Sequence, residues 1–535
     1  IDSTLITAKC RRVLQVKVWS KAEEEIPHYG ENWEPLNAER IHRKILESSM
    51  TLLENKGAVI PWLLPQGHIT VINVANKSSS GKPFVEHLKK TLGRSYEIDS
   101  FVVGKDGVSW ASNEIGYACD KADLVIVNFL ATSNLPSRKY GILDSAVKEC
   151  HSRISKSKSD SLNLTKWAVN IFANPYVLND NWGEIKELTD VLLLAYQDDD
   201  RTQEAAVNTI TGVGSANGRL PVTPIGLDFQ EGDGLGLDMK IGERLGWDNG
   251  ACNGNWGAHA QIDSIVNEAL EAGAFPGCRV VVAHQGRVMH DGVYGTTDGT
   301  VKVEESTIYD LASITKIAAT TLCLMAEEEA NMFDVDEPIL KKLTTLDTTD
   351  IGTRTYREIL SHQAGLYPWI PFYLETLSDS LNLLSSRPLC DKNICITPEL
   401  YICEEFIDTI YKRIISSELK PSGEYRYSDL GYYLIHKMLN NTYGTDYAID
   451  SLSAAKFYNP MGLFSMGYHP LNISGINLNE IAPTEVDTIF RKGTIQGYVH
   501  DPGAALFGGV CGHAGVFSDA HDLTRLGQML LNKGS

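Results

Sequence analysis

Between residues 68 and 211, short runs of β-branched and aliphatic residues alternate with longer amphipathic stretches, and this alternation limits the possible folds more than any other feature of the chain. The runs His68 to Asn76, Tyr96 to Val103, Leu124 to Leu130, Lys166 to Ala173 and Val191 to Tyr196 read as strands. Between them Pro83 to Leu92, Asn113 to Lys121, Tyr140 to Ser152 and Glu184 to Thr189 read as helices, and Thr202 to Thr211 follows as another. Strands that are apolar on both faces and separated by single helices call for a parallel sheet covered on both sides, so a doubly wound α/β fold is expected. The polar tract from Ser155 to Asp160 reads as a surface loop.

Residues 226–257 change character, with glycines at 226, 232, 234, 236, 242, 246, 250, 254 and 257, and read as a linker. Gly232, Gly234 and Gly236 do not make a phosphate loop, because no strand precedes them and no capped helix follows. Beyond the linker, Ala258 to Ala272 is expected as a helix, and Cys278 to His284 with Arg287 to Tyr294 as a hairpin turning at Gln285-Gly286. A long helix from about Ser313 to Ala330 follows, so this second part is α+β.

At 535 residues the chain is far too long for one core. Its formal charge of −20 argues against a nucleic-acid surface, which needs concentrated positive charge. No apolar run approaches the roughly 20 residues that span a bilayer. Residue 1 is Ile, the first methionine is Met50, and Ser535 directly follows an expected helix at Asp522 to Leu531, so the chain reads as a piece of something longer, with any secretory signal upstream. Of the ten cysteines, Cys390, Cys395 and Cys403 cluster; they read as free or buried thiols, with one disulfide as the alternative that spacing leaves open.

The run carrying chemistry is Tyr309-Asp310-Leu311-Ala312-Ser313-Ile314-Thr315-Lys316, which leads into the apolar stretch Ile317 to Met325. Ser313 and Lys316, three apart at a helix start, share a face, so the lysine nitrogen can reach the serine oxygen. A serine hydroxyl is a poor nucleophile until a neighbouring base takes its proton, and a lysine can serve if burial favours its neutral form. Free N–H groups at a helix start suit an oxyanion. The bland alternative is a capping serine beside a solvated lysine.

A second run, Tyr425-Arg426-Tyr427-Ser428-Asp429-Leu430-Gly431-Tyr432-Tyr433, stands ahead of the apolar helix Tyr432 to Leu439. In order and separation the two motifs resemble the penicillin-recognising serine hydrolases, the group of class C β-lactamases, D-alanyl-D-alanine carboxypeptidases and related esterases. Leu360 to Leu366, Gly497 to Gly503 and Gly508 to Ser518 are similar to further segments of that family, and the resemblance covers about 258–535. It implies Ser313 as the acylated nucleophile, Lys316 as its partner base and Tyr427 as the base or proton shuttle for the leaving group. Asp429 stands where the family usually has a substrate-binding Asn; an ionised carboxylate accepts but cannot donate, which turns the expectation from β-lactams toward another ester or amide. The family's last motif, Lys or His, then Thr or Ser, then Gly, has no match after Tyr427, and is expected beyond Ser535. His513-Ala514-Gly515 lacks the hydroxyl and reads as a structural turn, and His500, His513 and His521 fit no zinc spacing, so no metal and no cofactor are expected.

The first part carries its own resemblance. Ser49 to Asn55, Ala173-Asn-Pro-Tyr176, Ala195 to Ala206 and Gly218 to Val222 are similar to the C-terminal α/β sandwich of glycoside hydrolase family 3 over about 35–225. Ile6 to Val18 looks like the last helix of the preceding (β/α)₈ barrel, which would end at about residue 34 and would hold the nucleophilic aspartate outside this chain. Asp198, Asp199, Asp200 and Glu204 could be mistaken for a glycosidase carboxylate pair, but sit where acidic residues favour a helix N-terminus. The expected order is therefore barrel end (1–34), sandwich (35–225), linker (226–257) and a truncated serine hydrolase (258–535), acting on a small-molecule, peptide or glycan substrate. The resemblances imply a β-N-acetylhexosaminidase-like parent and a periplasmic or secreted location. Two rivals are a glycosidase with an accessory hydrolase-like domain and a catalytically silent cell-wall binding module.

Overall fold

Every residue of the run Leu124–Leu130 is buried, which a sheet with one wet face cannot provide. In the computed structural model this run is the centre of a six-stranded sheet. The structure describes residues 44–534 apart from 238–244, 248–257, 379–382, 445–447 and scattered single or paired positions, with Arg11, Gln15 and His42 before them. Apart from Arg11 and Gln15, the expectations for residues 1–34 lie outside the described residues. Residues 46–535 cluster as one compact unit and 1–45 as another.

In chain order the first part contains β1 (Thr51–Asn55), β2 (Gly67–Val74), α1 (Lys82–Leu92), β3 (Tyr96–Val103), α2 (Asn113–Lys121), β4 (Leu124–Leu130), α3 (Asp144–Ser159), β5 (Lys166–Phe172), α4 (Gly183–Leu188), β6 (Val191–Leu194) and α5 (Asp200–Thr211). The sheet order is β1-β6-β5-β4-β2-β3. β2 to β6 are mutually parallel, as expected, but β1 runs antiparallel along β6, so the sheet is mixed. Separate apolar cores cover its two faces. Three buried asparagines, Asn73, Asn128 and Asn170, form a hydrogen-bonded row across β2, β4 and β5.

Two further boundaries differ from the sequence reading. α3 starts only at Asp144, because Lys139 and Tyr140 adopt left-handed backbone, and it continues through the Ser/Lys tract read as a loop. That polar turn is held by tertiary contacts: Ser157 Oγ accepts the Trp167 indole N–H, and Lys158 pairs with Asp190 at 2.7 Å. Asp199 caps α5 by accepting the Thr202 N–H, the structural role expected at this helix start.

The segment read as a linker is partly structure. β7 (Gly246–Trp247) adds in parallel to the hairpin of β8 (Gly277–His284) and β9 (Arg287–Gly295), with Trp247 only 1% exposed. α6 (His259–Glu271) precedes that hairpin. β10 (Tyr309–Asp310) pairs with β11 (Phe517–Ser518), bringing residues more than 200 apart in sequence into one ladder. The expected helix from 313 to 330 is three pieces: a 3₁₀ turn Ala312–Ile314, a π-helical turn Lys316–Thr321 and the regular helix α7 (Leu322–Glu329). Thr321 Oγ1 donates to the Lys316 carbonyl five residues back, which favours the wider turn. α8 (Leu430–Tyr443) and α9 (Ala520–Leu531) pack with it into the largest core. Contrary to the thiol reading, Cys390 and Cys403 form a disulfide, leaving Cys395 free and exposed.

Candidate active site

Ala312 takes a left-handed backbone (φ +45°), unusual for a residue with a Cβ, and turns the chain just ahead of Ser313. Asp310 holds this turn: its Oδ1 accepts the Ala312 N–H at 2.8 Å, and its Oδ2 accepts the His500 N–H at 2.6 Å. Burial pushes the Asp310 carboxyl above its ordinary value, against the pull of those two donors.

Ser313, Lys316 and Tyr427 come together although Tyr427, just ahead of α8, lies more than a hundred residues from the turn at Ser313. Lys316 Nζ donates to Ser313 Oγ at 2.9 Å, and the Tyr427 hydroxyl donates to the same oxygen at 2.8 Å. Lys316 is 3% exposed; its Nζ also donates to the His513 carbonyl at 3.2 Å and lies 4.9 and 5.4 Å from the ring centres of Tyr427 and Tyr432. Asp429 Oδ1 lies 2.7 Å from Lys316 Nζ, so this carboxylate, expected to face substrate, contacts the lysine. An aspartate at a helix start ordinarily caps its own helix, but the Asp429 side chain makes no such bond, and Ser428 Oγ takes the Leu430 N–H instead.

Sequence reasoning missed His362, Asp310 and Asp501 as parts of this site. His362 Nδ1 accepts the Ser428 N–H at 3.1 Å, and its ring lies 4.4 Å from that of Tyr427. Burial, and then the charge of Lys316, pushes its pKa below the ordinary histidine value. The signal available was the position of His362 within Leu360 to Leu366, a segment whose likeness to the family assigns the histidine no role.

The Gly512–Gly515 turn forms the back wall. The fully buried His513 imidazole lies 2.8 Å from Asp501 Oδ1 and stacks on Tyr433 at 4.3 Å. Burial opposes charge on both partners, but their mutual attraction outweighs it for the Asp501 carboxyl, held down at about 2; for His513, Cys511 and Asp501 together lift the imidazole to about 10. The three histidines weighed as metal ligands have separate partners: His500 faces Glu485, His513 faces Asp501, and His521 stacks on Trp247.

Residues 262–535 match the family model described as Beta-lactamase. Among curated proteins, the chain is 30% identical over 305 residues to an N-acetylmuramyl-L-alanine amidase of Bacillus subtilis, covering 51% of this chain and 63% of that one. It is 27% identical over 299 residues to an Escherichia coli O157:H7 protein named "Putative D-alanyl-D-alanine carboxypeptidase", covering 51% and 64%. The chain thus spans somewhat less than two thirds of the length of these relatives. A solved class C beta lactamase from Rhodobacter sphaeroides aligns at 20% identity over 51% of this chain and 66% of that one, with a TM-score of 0.37.

Proposed function

The chain belongs to the Beta-lactamase family, and from that premise we propose that it is a serine hydrolase acting by acyl transfer on an ester or amide of the peptidoglycan type. The observation that carries the proposal is the convergence of Lys316 Nζ and Tyr427 OH on Ser313 Oγ at 2.9 and 2.8 Å. For attack one of the two donors, Tyr427 or Lys316, first gives up a proton to solvent; Ser313 Oγ then attacks the substrate carbonyl and its proton passes to that vacated position on the Lys316–Tyr427 pair. The tetrahedral intermediate, its oxyanion facing the Ser313 backbone N–H, collapses as the bond to the leaving oxygen or nitrogen breaks and the proton moves to that atom. Water then adds to the acyl carbon and gives a proton to the same pair, which returns one to Ser313 Oγ as the acyl–oxygen bond breaks, releasing the acid and the serine hydroxyl. The names of the amidase and carboxypeptidase relatives support a cell-wall peptide or muramyl-peptide substrate and a place outside the cytoplasm. Among the described residues no helix is long and apolar enough to cross a membrane.

We further propose that residues 35–225 form a glycoside hydrolase family 3 C-terminal sandwich of the kind found in β-N-acetylhexosaminidase-like proteins, ahead of a serine hydrolase part at 258–535. The collinear motifs and the covered α/β sheet support this reading. The test of the hydrolase is intact-mass detection of a fluorophosphonate adduct. The adduct is expected on Ser313 and absent in Ser313→Ala; adduct formation that survives the substitution, or none in the parent protein, refutes the reading.

A further inference from the structure

The charges around the proposed nucleophile cancel in pairs. Lys316, the cation in contact with Ser313, has Asp429 Oδ1 at 2.7 Å, with both side chains largely buried. Behind them the charge of His513 is met by Asp501. His362, packed against Tyr427, is driven toward its neutral form by burial and by Lys316. Tyr432, beside Lys316, is held neutral by burial. The carboxyl of Asp310 lies two residues from Ala312 and three from Ser313, and adds no positive field.

A β-lactam or an acyl-D-alanyl-D-alanine carries a carboxylate close to its reacting amide. Among the described residues no uncompensated cation faces Ser313, and because Asp429 Oδ1 lies 2.7 Å from Lys316 Nζ, itself 2.9 Å from Ser313 Oγ, a carboxylate beside the reacting carbonyl would come well inside the ~8 Å screening length of Asp429 at physiological salt. Like charges brought together in a partly desolvated site act as a repulsive selectivity element.

We propose that Asp429 is a specificity-determining residue that directs the Ser313 site to esters and amides uncharged beside the scissile bond and against those carrying a carboxylate there. This rests on the acyl-transfer reading above and narrows its substrate class. An asparagine at 429 would keep the shape, remove the charge and supply an N–H donor.

The test uses a matched pair of aryl esters of phenylacetylglycine, one with phenol and one with 3-hydroxybenzoate as leaving group, assayed with the full chain. The quantity read is the ratio of kcat/KM for the neutral ester to that for the anionic ester. It is expected to exceed that of the uncatalysed reactions in the parent protein, to fall about tenfold in Asp429→Asn, and to be restored in Asp429→Glu; a tenfold change corresponds to 1.4 kcal/mol. Because both rates come from one preparation, partial misfolding cancels in the ratio, and a purely structural role for Asp429 would leave it unmoved. An unchanged ratio in Asp429→Asn overturns the inference while leaving the hydrolase reading intact, provided Ser313→Ala abolishes both activities. Turnover of neither ester by the parent protein, or turnover that survives Ser313→Ala, overturns both.

Discussion

At the scale of single residues, the geometry of the 427–429 motif depends on a hydrogen bond that a proton can destroy. His362 Nδ1 accepts the Ser428 N–H, so the neutral ring carries its hydrogen on Nε2. A protonated ring would point a donor at a donor. Because the folded-state pKa lies below 6.5, this interaction contributes stability above that value and loses it as pH falls from 6.5 through the folded pKa. We expect the rate of fluorophosphonate labelling at Ser313 to drop across that window, and to do so less steeply in His362→Asn, whose Oδ1 can accept the same N–H without titrating. Equal profiles for the two proteins would count against the account. His362→Ala, which leaves the Ser428 N–H unpaired, is expected to cost about 1–3 kcal/mol in denaturant unfolding.

At the scale of elements, the back wall of the site is built with glycine where nothing larger fits. A Cβ on Gly512 would lie 2.5 Å from the Tyr432 carbonyl oxygen, a backbone atom of α8, while the Gly512 carbonyl accepts the Thr320 hydroxyl of the π-helical turn. Gly512→Ala should therefore push the turn off Lys316, costing about 1–3 kcal/mol of stability and slowing acylation further than that loss explains; normal kinetics in the folded variant would refute this. The same scale separates what the sequence reveals from what it hides. β2 to β6 were legible because burial on both faces leaves a continuous apolar run, and the Ser313–Lys316 spacing was legible because it is local. β1 was missed because five residues, Thr51–Asn55, carry no periodicity, and its direction is set by pairing with β6. The last turn of α3 was read as loop because its residues are polar, whereas Lys158 and Ser157 are fixed by Asp190 and Trp167. Asp429 was identified, but its attachment to Lys316 is a contact between residues 113 apart that no local pattern encodes.

At the scale of the whole molecule, the α/β layer and the hydrolase part share a polar seam, which the reading of residues 226–257 as a plain linker could not anticipate. Asp291 on β9 is its centre. It accepts Arg279 Nε at 3.0 Å and the Trp247 indole N–H at 3.2 Å, and lies 3.6 Å from Lys90 of α1. Burial opposes its charge, but Arg279 and then Lys90 hold the carboxyl below its ordinary value. Around it, Ser95 donates to the Gly462 carbonyl, Arg94 pairs with Glu480, Arg287 pairs with Glu47, and Trp247 stacks on His521 at 4.7 Å. Each contact joins the α/β layer or β7 to the part that carries Ser313, so neither side can unfold without stripping partners from the other. Calorimetry of the full chain is therefore expected to show the two parts melting in one transition. Asp291→Ala takes the paired carboxylate from Arg279, 2% exposed, leaving it the Glu305 carbonyl, and should cost about 3–5 kcal/mol. Because the lost carboxylate served both sides, the variant should also split the transition in two, with the α/β layer outlasting the hydrolase part. Two transitions already present in the parent protein, or an Asp291→Ala midpoint equal to the parent's, would show that the seam is a surface contact and not a structural bond between the halves.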